Sequence, residues 1–350
     1  MPEYVPGVEL SRAFYAEVVA PLIGDVPHAA AFLGWGSDVM GFDTLRSTDH
    51  GWGPRLQVFV SVEDTAPLAE LIATGLPAEF HGWPTHFGWD NRPVKHHVEV
   101  TTLAEWLRGR LGFDATEGVS LQAWLSTPQQ RLLEVTTGAV FHDDRGELTA
   151  ARELLAWYPD QVWLWLLGCQ WRRLSQEEHF VGRTAEVGDK LGSRLLAGRL
   201  VRDLIRLGFL IERRYAPYSK WLGSGFAQLD AHSELAPVLL EVLGADTYEQ
   251  REAALVSAVE ALAVRHNALG VTAPVDPSVR PFHSRPFLVL DSNRFANACF
   301  ERVTDPWLKS LQPVGAIDQF VDSTDVLSDP ERFAPLGSIY RTWAEGESPS

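Results

Sequence analysis

A few residues in this chain have the chemistry to handle a charged ligand: Gly36-Ser37, Asp49-His50, Glu99 and Lys220. A glycine lets the backbone approach an anion closely, a serine hydroxyl and adjacent main-chain N–H groups supply donors, and a following helix N-terminus favours negative charge. Gly36-Ser37 therefore suits a phosphate. It also suits an ordinary turn, and Ser47-Thr48-Asp49 reads equally as a turn or a helix cap.

Glu99 alternates with His97 and Thr101 on one face of its segment, while Val98 and Val100 occupy the other. A carboxylate between valines is awkward on a buried strand, so it either serves a site or faces solvent at an edge. His50, His81, His86, His96 and His97 crowd the first half without a compact zinc-binding spacing. His50, beside Asp49, is the best placed of them to join a site. Basic residues gather between Arg194 and Lys220, and Lys220 follows a break at Pro217. Lys220 there would neutralise a triphosphate, or form a solvated basic face with Arg213 and Arg214. Arg183, Asp189 and Arg194 read as braces between helices.

The elements that must position these residues follow from periodicity. Leu10 to Ile23 reads as a first helix, with Phe14, Val18 and Leu22 on one face. Ala30 to Trp35 and Leu56 to Val60 read as strands, so Asp49 falls before the second and is expected at its start. Val62 to Gly75 is a helix with Gly75 as its stop. Ala78 to Arg92 reads as a long loop, His96 to Thr102 as a third strand, and Leu103 to Leu111 as a helix ending before Gly112. This alternation predicts a small α/β domain over residues 1–120. From Leu121 the texture becomes helical, with short elements at Gln130 to Thr136 and Gly138 to His142. Helices follow at Glu147 to Trp157, Asp160 to Leu174, Lys190 to Tyr215, Glu234 to Leu243, Thr247 to Leu269 and Asn293 to Val303. The second region is a mainly α-helical domain over 121–345.

Composition sets outer bounds. The chain has 350 residues, is 45% hydrophobic and holds 13 tryptophans, which is a globular composition. Its 2 cysteines, Cys169 and Cys299, build neither a disulfide framework nor a zinc cluster. No apolar run approaches the roughly 20 residues of a spanning helix, and Met1 to Pro6 lacks a basic start, so a cytoplasmic location without membrane contact is expected. A formal net charge of -16 argues against duplex nucleic acid as a partner.

The run Leu33-Gly34-Trp35-Gly36-Ser37, then Thr48-Asp49-His50-Gly51-Trp52-Gly53-Pro54-Arg55, resembles the signature of the nucleotidyltransferase superfamily with the DNA polymerase β-type fold. The later texts Gly182-Arg183-Thr184, Gly188-Asp189-Lys190-Leu191-Gly192-Ser193-Arg194 and Glu212 to Trp221 resemble the helical half of the DUF4037 family, and the likeness runs from about Gly34 to Val326. The resemblance implies that Gly36, Ser37, Arg55 and Lys220 bind a nucleoside triphosphate, with ATP first among them. It implies that Asp49, His50 and Glu99 hold Mg2+, and that Asp49 and Glu99 are catalytic, Glu99 taking a proton from an acceptor hydroxyl as it attacks the α-phosphate.

The superfamily places a second carboxylate where this chain has Gly51. The implied activity is Mg-dependent transfer of a nucleotidyl group to a small-molecule hydroxyl or a protein side chain. The alternatives are a nucleotide-binding regulatory protein without transfer activity and a toxin–antitoxin type partner.

Overall fold

β1 (Ala29–Phe32) is the strand from which the rest of the first sheet is laid out, and all four of its residues are buried. The structure, a computed structural model, describes residues 3–49, 51–89 and 93–344. The other strands of this region are β2 (Arg55–Phe59), β3 (Glu79–Phe80), β4 (Trp83–Pro84), β5 (His86–Phe87), β6 (Lys95–Thr101) and β7 (Ala139–Asp143). Five of them form one mixed sheet in the order β5-β6-β2-β1-β7. β2 and β6 run parallel, β1 is antiparallel to both β2 and β7, and β5 is antiparallel to β6. β3 and β4 make a separate two-stranded hairpin inside the segment expected to be a loop.

The chain divides into two units. The first comprises Met1–Ser120, Gln130–Ala156 and Ser328–Glu331; the second comprises Leu121–Gln129, Trp157–Leu327 and Arg332–Ser350. The first is a mixed α/β region, which includes 130–156 and 328–331 besides 1–120, and the second is mainly helical.

Period-two alternation assigns the two faces of the first sheet. Ala30, Leu56, Val58 and Val98 join a core with Leu10, Phe14, Val19, Leu68 and Ile72 from the helices Gly7–Phe14 and Val62–Gly75 and the turn joined to the first. The opposite face carries Arg55, Gln57, His97 and Glu99, because Arg55 pairs with His97 and Gln57 with Glu99 across the parallel ladder. Beside it lies the helix Leu103–Leu111, whose Trp106 meets Phe59 edge-on. Local signals explain the helix limits. Ser61 and Thr102 cap the two helices through Asp64 N–H and Glu105 N–H, and Gly112 ends the second in the left-handed region.

Three differences from the sequence expectation in the first unit bear on the site. The first helix starts at Gly7 and passes through a π-type turn at Tyr15–Val19 before its last segment, Ala20–Ile23. β1 stops at Phe32, because Gly34 and Gly36 take positive φ values of 91° and 122° that no strand admits. Asp49 is not at the start of β2: it ends the 3-10 helix Leu45–Asp49, and β2 begins only at Arg55.

In the second unit the helix Asp160–Glu177 is central, with Trp163, Trp165 and Trp171 fully buried. It packs on Asn293–Arg302 and Lys190–Ile211. Trp163 donates to the Leu210 carbonyl at 2.7 Å and Trp171 to His266 at 3.0 Å, so these indoles keep their polar edge satisfied. Among the described residues no helix is long and apolar enough to cross a membrane.

Candidate functional site

The polar end of β1 is built around one buried ion pair. Arg55 leaves β2 with its guanidinium stacked over the rings of Phe32 and Trp35, 4.6 Å and 4.5 Å from their centroids. One of its nitrogens donates to the Trp35 carbonyl and to Asp38 Oδ1, both at 2.6 Å. Asp38 Oδ1 also accepts the Val39 N–H at 3.1 Å. The Gly34–Ser37 turn thus wraps a guanidinium that a side-chain carboxylate already pairs. A Cβ on Gly36 would stand 2.2 Å from Asp38 Oδ1 and 2.5 Å from Arg55 Nη2, so only glycine fits.

Two further anchors fix the turn. Leu33 N–H donates to Gln57 Oε1 at 2.9 Å, and Gly34 N–H donates to the Glu134 carbonyl at 2.8 Å. Glu134 sits on the helix Gln129–Thr136 and its carboxylate takes a 2.6 Å bond from Arg131. Burial raises the Glu134 carboxyl above its ordinary range, opposed by the charges of Arg131, Arg110 and Arg55. Arg110, in the last turn of Leu103–Leu111, completes the surround. Its guanidinium lies 3.6 Å from where a Cβ on Gly34 would be and 4.0 Å from Glu99.

The sequence-predicted residues are therefore only partly assembled. Gly36, Ser37 and Arg55 share the turn. Glu99 stands on the same sheet face, beside Gln57 and Arg110, with its side chain 47% exposed. Arg55 is buried beneath the turn, where one guanidinium nitrogen donates to the Trp35 carbonyl and to Asp38. Asp49 is on the exposed 3-10 helix, paired with Arg46 at 3.0 Å. His50 lies outside the described residues. Lys220 belongs to the second unit, where its ammonium sits 4.9 Å from the Trp221 ring centroid. Ser37 is followed by a turn closed by Phe42 N–H on its carbonyl at 2.7 Å, not by a helix. Among the described residues, Asp49 and Glu99 belong to no cluster of three metal-ligating groups.

Gly51 has φ 66°, and the Trp89 ring would lie 2.8 Å from a Cβ there. Trp89 in turn packs on Trp35, centroids 4.9 Å apart. Sequence reasoning missed Asp38, Arg110, Arg131 and Glu134. The last three sit on helices, where charged residues ordinarily read as solvated, and only the tertiary pairing marks them.

The basic helix Lys190–Ile211 shows the opposite outcome. Its Arg199 pairs with Glu177, Arg202 with Asp322 and Arg194 with Asp246, which consumes much of its charge inside the unit. Asp189 caps this helix through Gly192 N–H at 2.8 Å, a structural role reached through backbone rather than through an ion pair. The same unit holds a small apolar pocket lined by Leu174, Glu178, Leu204, Val256, Phe287 and Leu290.

A family model described as "Domain of unknown function (DUF4037)" matches residues 124–222. That match bears out the DUF4037 resemblance read from the sequence. Lys220 lies inside the matched segment; Gly36, Ser37, Asp49, His50, Arg55 and Glu99 lie outside it. Among solved structures, the chain is similar to a nucleotidyltransferase-like protein from Exiguobacterium sibiricum 255-15, with 15% identity and a TM-score of 0.33, covering 75% of this chain and 77% of that one. No curated protein matches the chain.

Proposed function

We propose that the protein binds a magnesium–nucleoside triphosphate, ATP first among them, on the polar sheet face of the first unit, and transfers its nucleotidyl group to a hydroxyl of a small molecule or a protein. The observation that carries this reading is the Gly34–Ser37 turn at the end of β1, set beside a carboxylate (Glu99) and a guanidinium (Arg110) on neighbouring elements. Arg110 supplies charge-assisted donors for phosphate oxygens. Mg2+ would enter with the nucleotide, and Asp49 and Glu99 are the hard oxygen donors that would hold it. In the transfer step the acceptor oxygen bonds to the α-phosphorus, the bond to pyrophosphate breaks, and the acceptor proton passes to Glu99.

A second reading, nucleotide binding without transfer, is favoured by one observation. Gly51 stands where the resembled superfamily carries a carboxylate, and its left-handed backbone is packed against Trp89.

Titration calorimetry with each common triphosphate in Mg2+, followed by a pyrophosphate-release assay, separates the readings. At least one triphosphate is expected to bind, and Glu99→Gln, which removes a metal donor and the proton acceptor together, to weaken Mg2+-dependent binding and abolish release. Absence of heat and of thermal stabilisation with every triphosphate would remove both readings. Binding without release for any acceptor tried would favour the second.

A further inference from the structure

His28, His142 and Asp144 meet on the face of the first sheet opposite Arg55, Gln57 and Glu99, and at the other end of β1 from the Gly34–Ser37 turn. The ladder explains why. Ala30 pairs with His142 and Ala29 with Asp143 on antiparallel β1 and β7, and Asp144 N–H donates to the His28 carbonyl at 3.1 Å. Side chains at 28, 142 and 144 therefore project from one face as direct and diagonal neighbours. The two imidazole rings lie 4.5 Å apart between centroids. Asp144 Oδ1 is 2.8 Å from His142 Nε2, and Asp144 Oδ2 is 3.9 Å from His28 Nδ1. One ligand atom from each residue falls within 4.8 Å of the other two.

We propose that this trio is a binding site for a divalent transition-metal ion of the zinc class. Two imidazole nitrogens and one carboxylate oxygen form the three-protein-ligand set that leaves a fourth position for water or an exogenous ligand. The surrounding bonds prepare the buried member. Nδ1 of His28 faces the Val26 carbonyl at 2.8 Å, a group that only accepts, so Nδ1 carries the proton and Nε2 is the ligating nitrogen, a bound ion replacing its 2.9 Å bond to the Tyr15 hydroxyl. An imidazole fixed by a backbone carbonyl is the usual support of a metal-bound histidine. Burial also holds His28 below the ordinary imidazole range, which keeps it neutral. His28 is buried while His142 and Asp144 are 39% and 40% exposed, so an ion enters from the solvent side.

The site is tested on the full chain with Zn2+ by calorimetry and with Co2+ by visible absorption. One Zn2+ per chain is expected, with a tetrahedral Co2+ spectrum and no comparable response to Mg2+. His142→Ala and Asp144→Asn should each weaken Zn2+ binding by more than about tenfold. Both side chains are partly exposed, and asparagine retains an acceptor for the His28 N–H, so the folded state of each variant is checked by its melting curve. Absence of Zn2+ heat with the wild type, or wild-type affinity in a folded His142→Ala, would overturn the proposal. Nucleotide binding is measured on the same samples, and its presence or absence leaves this result unchanged because the two sites occupy opposite faces.

Discussion

Arg55 and Asp38 meet at 2.6 Å beneath Gly36, and this ion pair is the floor on which the Gly34–Ser37 turn rests. Both side chains are nearly excluded from water, at 6% and 11% exposure. A buried pair is strongly destabilising to break singly, because the survivor is an uncompensated charge. Two rings and a backbone carbonyl share the guanidinium, so lysine cannot reproduce its planar contacts.

Gly36→Ala tests the fit directly. The new methyl must displace Asp38 or Arg55, and the backbone at φ 122° disfavours any side chain. A loss of about 2–3 kcal/mol is expected in urea melts. A loss under about 0.5 kcal/mol would show that the turn relaxes without disturbing the pair.

Gly51→Asp adds the carboxylate that the resembled superfamily carries. Its φ of 66° and the Trp89 ring at 2.8 Å from the new Cβ oppose it. The variant should lose about 1–3 kcal/mol and alter indole fluorescence as Trp89 moves off Trp35. Unchanged stability together with tighter Mn2+ binding would count against this packing account.

Arg110→Gln removes a charge from beside Glu99 without touching the Arg55–Asp38 pair. The Arg110–Glu99 separation of 4.0 Å and the exposure of Glu99 predict a stability change within about 1 kcal/mol. Triphosphate affinity should fall by about tenfold, the scale of one lost charge-assisted contact to phosphate. Equal affinity in the two proteins would place the phosphates elsewhere.

Glu178→Gln concerns pH. Burial pushes the Glu178 carboxyl up to about 7, against the bonds it accepts from Ser292 N–H and hydroxyl at 3.0 Å each. A raised folded-state value means that the folded chain holds the proton longer than the unfolded one. The stabilisation is full below the ordinary carboxylate range and is lost as pH rises through about 7. Wild-type stability should therefore decline from pH 5 to pH 8 by up to about 3 kcal/mol, and the Gln variant should show a shallower decline. Asp318, pushed up to about 6 by burial, keeps its own slope of the same sign. Parallel melts at the two pH values check it; identical slopes in both proteins would contradict the assignment.

The parts of this fold that local chemistry determines were legible in the sequence. Val62–Gly75 and Leu103–Leu111 carry their apolar spacing, their caps and their stop glycines within a few residues, and both match the reading. Glu99 on a strand face with His97 was also legible, because period-two alternation needs no distant partner. The misplacement of Asp49 has a physical reason: it closes a 3-10 helix that bends at Gly51 and Gly53 separate from β2, and no propensity scale prices the Trp89 and Phe87 rings packed against those glycines. Arg110 and Glu134 were illegible because their value lies in what β1 brings to them. The same holds for His28 and His142, which only the β1–β7 pairing makes neighbours.

That pairing has a consequence for how the chain is made. β1 is complete by Phe32, but the partner that covers its second edge, β7, begins at Ala139. A ribosome adding residues in order leaves an apolar Ala-Ala-Ala-Phe strand with a bare row of N–H and C=O groups until that distant segment emerges. Exposed edges of this kind recruit other chains, and contacts of long sequence separation close slowly. The vulnerable interval in the life of this protein is therefore during its synthesis, and a fragment ending before residue 139 would keep that vulnerability permanently.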